Sequence, residues 1–481
     1  MQYYKVFHIV LLSVLLIDFN LNRLFADKHQ AKRPNIFFAI ADDWGWPHSS
    51  SYGDAVVQTL AFDSIAANGV LFTNAYISSP SCTPSRNAIL TGQHFWRLKS
   101  GGNLWSLYPE GFPTFVETLK EAGYFVGSYR KAFGPGEDGD REVDGKKFSS
   151  LNQFLKERPD DQPFCFWFGA SDPHRTYIWE SGVRSGMKLE DVEVPPFYPD
   201  SEIIRKDILD YYWEVQRFDR QVGEALAIIE EKGELDNTIV VMTGDHGFPF
   251  PRGKSNLYDY GARVPLAIKW HKAVPRNRVV TDFVSTTDLA PTFLEAAGVD
   301  ILPGTTGRSL LPILKSDAEG RVSSDREYVL TGKERHTLAQ FDHPGGTPMR
   351  AIRTDNFLYI HNFKPDRWPA GHPDGSYHGK IYMDIDDSPT KSYIIDHKNH
   401  PDMEIYWLLS CGKRPADELY DLRLDPHQLY NVADRTEYAD TMKRLKEKLF
   451  ADLKKYEDPR IIGGADAFDN YKYTGYLLRQ P

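Results

Sequence analysis

Two apolar runs in this sequence end in carboxylates. "NIFFAI" passes through Ala41 into Asp42 and Asp43, and "TIVVMTG" passes directly into Asp245 and His246. Each run reads as a strand buried on both faces, and in α/β sheets functional groups collect beyond the carboxyl ends of such strands. Three carboxylates in one cleft repel one another unless a cation neutralises them, and an oxygen-rich set of this kind suits calcium or magnesium. His246 is a less usual ligand for so hard a cation. A third stretch, "SPSCTPSRNAILTG", sets Cys82 among small residues and two prolines ahead of a helical pattern. Pro84 stiffens the approach, Ser85 is placed to cap, and the first turn would present unpaired N–H groups beside Cys82 and Arg86. Such a helix start is an anion pocket.

The elements that must position these residues can be read from periodicity. Further near-continuous apolar runs occur at "GYFVGSY", "FCFWFGAS" and "VPLAIKW", each bounded by turn residues. Ile208, Tyr212, Val215, Val222, Leu226 and Ile229 recur at helical steps, and Gly233 is placed to end that helix. Strands alternating with helices predict an α/β fold, a largely parallel sheet sandwiched between helices. After about residue 330 the pattern changes to short alternating segments such as "MRAIRTDNFLYIHNF" and a charged helical stretch from Glu437 to Tyr456. This predicts a main domain over 27–330 and a smaller antiparallel subdomain over 331–481. No internal repeat or low-complexity tract interrupts the chain.

At 481 residues the chain is long enough for one large core with an appended smaller domain. Its 57 basic and 67 acidic residues give a formal net charge of −10, which argues against sequence-independent binding to nucleic acid or to anionic membranes. Any anionic ligand must be held by a local basic pocket. Lys5, an apolar run broadly from Val6 to Ile17, and polar residues ahead of Ala26 form the pattern of a secretion signal over 1–26. The run is short for a membrane span, and no later stretch is long and apolar enough to form one. The expected location is periplasmic or extracellular in a bacterium, lysosomal or secreted in a eukaryote. Cys82, Cys165 and Cys411 are odd in number and far apart, so at least one thiol needs an explanation other than a disulfide.

Cys82-Thr83-Pro84-Ser85-Arg86, followed by Leu90-Thr91-Gly92, resembles the motif of the formylglycine-dependent sulfatases. The resemblance extends through "RPNIFFAIADDWGW", "DNTIVVMTGDHG", "LAPTFLEAAG" and "ELYDLRLDPHQLYNVA". It implies an alkaline-phosphatase-like sandwich in which a maturation enzyme oxidises the cysteine to Cα-formylglycine, whose hydrated aldehyde is the nucleophile. It further implies that Asp42, Asp43, Asp245 and His246 bind one calcium ion together with the modified Cys82. Arg86 would hold the diol and the sulfate, a task suited to a fixed cationic fork. Lys131 and Lys254 correspond to the two sulfatase lysines that contact sulfate, and His174 to the histidine near the leaving oxygen, the candidate general acid. The sequence departs from the family in one place. Where many sulfatases carry a histidine two or three residues after the first lysine, Phe133 and Gly134 stand here, leaving Lys131 or a histidine from elsewhere, such as His94, as the candidate proton acceptor.

Within the family, "SDPHR", "GDHGFPFPRGKSNLY" and "KPDRW" are similar to the branch of the N-sulfoglucosamine sulfohydrolases and its bacterial relatives. The implied activity is hydrolysis of sulfate esters or sulfamates on sulfated saccharides, from heparan-type glycosaminoglycans or algal polysaccharides. Arg175, Arg350, Arg353, Lys364, Arg367 and Trp368 form a candidate recognition surface of cations and an aromatic plane. Two other readings compete: a phosphoesterase of the same superfamily, which Cys82 disfavours, and a sulfated-glycan binding protein that has lost catalysis.

Overall fold

The computed structural model describes residues 33–376, 379–464 and 466–475, so the expected export signal at 1–26 lies outside the described residues. No helix among them is long and apolar enough to cross a membrane. The main sheet runs in the order β10-β2-β9-β8-β1-β7-β4-β6. Its strands are β1 (Asn35–Ala41), β2 (Val70–Tyr76), β4 (Phe125–Tyr129), β6 (Lys146–Phe148), β7 (Phe164–Gly169), β8 (Thr238–Gly244), β9 (Leu266–Lys269) and β10 (Arg278–Ser285). Two short strands, β3 (Ser106–Leu107) and β5 (Gly136–Glu137), pair apart from it. All pairings in the main sheet are parallel except those of β9, which runs antiparallel to both β2 and β8.

The central strands are apolar throughout because both faces are covered. Ile36, Phe38 and Ile40 of β1 join one core, while Phe37, Ala39 and Ala41 join the core on the opposite face. This is the two-residue period of a strand expressed in two hydrophobic layers. Burying a side chain such as Phe38 fully contributes about 1.5–3 kcal/mol, so these layers supply most of the drive to fold. The helix expected around 208–229 spans Glu202–Glu231 and buries Ile208, Val215, Val222 and Ile229 in the second core. Gly233 follows it with φ at +68°, the left-handed conformation that glycine adopts freely after a helix.

A second sheet, β11 (Tyr328–Lys333), β12 (Met349–Thr354), β13 (Phe357–Asn362) and β14 (Asp417–Asp421), is antiparallel throughout. The boundary drawn at residue 330 thus falls inside β11. The expected terminal helix spans Ala439–Lys455 and packs Leu445, Leu449 and Leu453 against Ile352 and Tyr359 of this sheet. The same cluster takes in Ala88 of the Cys82–Thr91 helix and Phe95 and Trp96 just after it, so one apolar layer joins the second sheet to the main domain.

Candidate active site

Four neighbouring parallel strands, β8, β1, β7 and β4, place their carboxyl ends along one edge. Asp245 and His246 follow β8, Asp42 and Asp43 follow β1, His174 follows β7 after a short loop, and Lys131 lies two residues beyond β4. Backbone hydrogen bonds tie these ends together: Asp245 N–H donates to Ala41 at 3.1 Å and Asp42 N–H to Asp172 at 2.9 Å. A Cβ on Gly169, the last residue of β7, would lie 1.7 Å from the Lys131 carbonyl oxygen. Only glycine there lets the Lys131 backbone reach the strand edge. Asp43 itself is held at φ +75°, an unusual conformation for a non-glycine residue and one that functional sites retain at a cost in strain.

The Cys82–Thr91 helix points its first turn into this edge. Ser81 occupies the N-cap position, and its hydroxyl is engaged with His336 Nδ1 at 2.7 Å rather than with the helix. Ser85 is therefore not the cap that the sequence suggests. It sits inside the helix and donates its hydroxyl to the Asp245 carbonyl at 2.5 Å. The Cys82 Sγ lies 3.6 Å from Asp42 Oδ1 and 3.3 Å from His246 Nε2. His246 Nε2 is in turn 3.1 Å from Asp43 Oδ1, and Asp43 N–H donates to Asp245 Oδ1 at 2.9 Å.

Three cations surround these acids. Arg86 Nε donates to Asp245 Oδ2 at 2.8 Å and Nη1 to the Lys131 and Ala132 carbonyls at 2.8 and 3.1 Å, which fixes the plane of the guanidinium. Lys131 Nζ donates to both Asp42 oxygens, at 2.5 and 2.6 Å. Lys254 Nζ bridges Asp43 Oδ2 at 2.8 Å and Asp386 Oδ2 at 3.0 Å. Burial opposes ionisation of Asp245, but His246, Arg86 and Lys131 outweigh it and hold the carboxyl well below its ordinary range. Burial also disfavours the charged form of Lys254, yet Asp386 and Asp43 keep it charged far above the ordinary lysine value. Burial pushes the Cys82 thiol up, against the pull of Lys131. A buried, protonated thiol is a poor nucleophile as it stands.

The donor set fits a hard cation. Oxygen, nitrogen and sulfur atoms of Asp43, Cys82 and His246, and likewise of Asp42, Cys82 and Asp245, lie within 4.8 Å of one another. That spacing matches ligands placed about 2.3–2.6 Å from a shared calcium ion. Asp43 Oδ1, 3.1 Å from His246 Nε2, and Arg86 Nη2, 3.7 Å from Asp42 Oδ1, are buried close to opposite charge without a well-formed hydrogen bond. Both retain bonding capacity for an ion or a substrate oxygen.

A cavity of about 350 Å³ opens onto Cys82, Lys131, His174, Lys254, His336 and Asp386. A larger hollow of about 740 Å³ lies between the Leu60–Ala67 helix and the long helix, away from all of these residues. His174 Nδ1 is 2.6 Å from the Arg175 carbonyl, and Nε2 stands 3.9 Å from Asp43 Oδ2.

The expected recognition surface is not assembled at this cavity. Arg350 is fully buried in β12, paired with Asp458 at 2.5 Å and Glu334 at 2.8 Å and lying near the Phe95 and Trp96 rings. Arg353 forms a bidentate pair with Asp259 at 3.0 and 2.9 Å, and Arg367 is held by the Gly346 carbonyl and Asp469. Lys364 lines a separate small recess beside Arg367 and Arg414, and the Trp368 ring is covered by Lys413 at 5.1 Å. Arg175 alone of the six borders the cavity, but its guanidinium is committed to Asp207 at 2.7 and 2.9 Å. His94 follows the far end of the Cys82–Thr91 helix, about 15 Å of rise from its start. It stacks on Trp96 at 4.3 Å and lines another cavity, so it is not the proton acceptor beside Cys82. The Phe133 position carries no substitute: its N–H donates to Asp144 at 2.7 Å and its ring packs on Tyr108.

Sequence reasoning missed His336 and Asp386, both brought to the cavity by the second subdomain. Their neighbours "KERHTL" and "MDIDDSPTK" carry a helix-cap signal at Ser388 and Pro389 but nothing that points to a distant strand edge.

A family model described as Sulfatase matches residues 34–139 and 128–299. The chain belongs to the sulfatase family. A second model, N-sulphoglucosamine sulphohydrolase, C-terminal, matches residues 244–370 of this sulfatase. An ulvan-active sulfatase of Formosa agariphila is 26% identical over 474 residues, covering 87% of this chain and 74% of the relative. Human N-sulphoglucosamine sulphohydrolase is 27% identical, covering 87% of this chain and 90% of its own. The solved structure of BT4656 in complex with its substrate D-glucosamine-2-N,6-O-disulfate superposes with a TM-score of 0.63 at 21% identity, covering 89% of this chain and 99% of that one. A phosphonate monoester hydrolase of Silicibacter pomeroyi shares the fold with a TM-score of 0.59 at 17% identity, covering 88% of this chain and 96% of that one. The fold is the alkaline-phosphatase-like sandwich, and the enzyme is a sulfuric ester hydrolase.

Proposed function

We propose that this protein is an exported sulfatase that depends on calcium and formylglycine and removes sulfate from sulfated saccharides, as an O-ester or an N-sulfamate. The observation that carries the reading is the placement of Cys82: at a helix start, 3.3 Å from His246 and 3.6 Å from Asp42, and facing a cavity walled by Lys131, His174 and Lys254. A buried thiol pushed up by its surroundings is ill suited to attack sulfur directly. Oxidised to formylglycine by a maturation enzyme, position 82 would instead supply a hydrated aldehyde hydroxyl as nucleophile. Asp42, Asp43, Asp245, His246 and residue 82 would hold the calcium ion, which polarises sulfate oxygens when bound.

The protein's own groups divide the remaining work. Arg86, Lys131 and Lys254 hold the sulfate and stabilise charge as it shifts during transfer, from positions fixed before substrate arrives. The His174 ring is anchored through Nδ1 at the Arg175 carbonyl, which leaves Nε2 to give a proton to the departing oxygen or nitrogen. The relatives named above favour two substrate classes, N-sulfated glucosamine and ulvan-type algal saccharides.

A panel of N-sulfoglucosamine, O-sulfated glycosaminoglycan saccharides and ulvan oligosaccharides, incubated with the matured protein, tests the reading by release of inorganic sulfate. The reading expects turnover of at least one of them. Matched aryl sulfate and aryl phosphate measure the competing phosphoesterase activity, and preference for the phosphate would overturn the proposal.

A further inference from the structure

The cavity that faces an anion also contains a carboxylate. Asp386 stands ahead of the Pro389–Asp396 helix, and its Oδ2 accepts from Lys254 at 3.0 Å. Among the described residues Oδ1 has no hydrogen-bond partner, and the side chain is 25% exposed, towards the cavity it lines. Ligand atoms of Asp43, His174 and Asp386 lie within 4.8 Å of one another. Asp386 therefore stands beside His174, on the side where the leaving group must be protonated. Burial opposes its ionisation, but the charges of Lys254 and His174 hold the carboxyl well below its ordinary range. An ionised carboxylate only accepts hydrogen bonds.

We infer that Asp386 determines specificity by reading the substituent next to the transferred group. Its free oxygen accepts a hydrogen bond from a hydroxyl or N–H on the carbon adjacent to the one bearing the sulfate, and it repels a second sulfate or a carboxylate placed there. A partly desolvated carboxylate rewards a donor strongly and penalises both its absence and a like charge, because neither leaves the acceptor satisfied. Sites built to bond a substrate hydroxyl reject the analogue that lacks it. The inference rests on the sulfatase reading above.

Three probes test it: the panel saccharide turned over fastest, its analogue with hydrogen in place of the hydroxyl beside the sulfated carbon, and 4-methylumbelliferyl sulfate. In the wild-type protein the loss of the hydroxyl lowers kcat/KM at least tenfold. In Asp386→Asn the parent saccharide loses at least tenfold more than the aryl sulfate, and the penalty for the missing hydroxyl shrinks below threefold. Binding to the inert Cys82→Ala protein, measured by calorimetry with and without Asp386→Asn, follows the same pattern for the two saccharides. Parallel losses on all three probes would overturn the inference and leave Asp386 as a residue that only positions Lys254. A wild-type protein indifferent to the missing hydroxyl would overturn it without any variant. If the wild-type protein turns over nothing in the panel, the sulfatase reading fails instead.

Discussion

Conversion of Cys82 to formylglycine exchanges one sulfur and two hydrogens for one oxygen and lowers the intact mass by about 18 Da, a change that mass spectrometry of protein from the native host resolves. Cys82→Ala abolishes sulfate release while leaving the fold unchanged, because the side chain contributes little apolar area to the core. Asp42→Asn and Asp245→Asn each remove a charged oxygen donor from a set whose atoms lie within 4.8 Å of one another. Each lowers calcium affinity on the order of 100-fold, read by titration calorimetry on the unmatured protein. These residues were legible in the sequence because their positions follow from local pattern: an apolar strand that ends in acid, or a helix start with a cysteine. Asp386 and His336 were not legible, since nothing local brings them to the cavity.

Among the elements, β7 carries a less obvious part of the site. Gly169→Ala sets a methyl group against the Lys131 carbonyl, 1.7 Å away in the present geometry, so the strand edge or Lys131 must shift. The expected result is a loss of kcat of on the order of tenfold or more, given the sensitivity of positioned catalysis to displacements near 1 Å. Activity unchanged in Gly169→Ala would show that Lys131 does not need this backbone position. Strand β12 shows the opposite case, a residue that sequence alone placed wrongly. Arg350 reads as part of a saccharide-recognition surface, but it pairs with Glu334 and Asp458, 16 and 108 residues away, and is completely buried. Arg350→Ala leaves two buried carboxylates without that partner and costs about 3–5 kcal/mol of stability, measured by denaturant unfolding. The strands behind all four ends, by contrast, were legible as buried apolar runs, and the ends of β1 and β8 were expected on one side of an α/β sandwich.

At the scale of the whole molecule, one apolar layer and a few buried polar groups join the two subdomains. His94 stacks on Trp96 and meets Tyr456 just beyond the Ala439–Lys455 helix. Burial, with Arg97 and Arg350 nearby, holds it down to about 3. The unfolded chain takes up a proton at this residue below about pH 6.5, whereas the folded protein does not until far lower. Its contribution is therefore complete above pH 6.5 and is lost as the pH falls, at about 1.4 kcal/mol per pH unit. His94→Gln removes that dependence, so between pH 6 and 4 the unfolding free energy of the variant changes by that much less per unit than the wild type. Equal slopes would show that the His94 environment is not sealed by the docked subdomains. The most direct test of the central claim joins maturation to turnover in the intact protein. Preparations with different fractions of Cys82 converted, each quantified by intact mass, are assayed for sulfate release on the best panel saccharide. The expected rate is proportional to the converted fraction and passes through zero for unconverted protein. A rate independent of conversion would contradict the dependence on formylglycine.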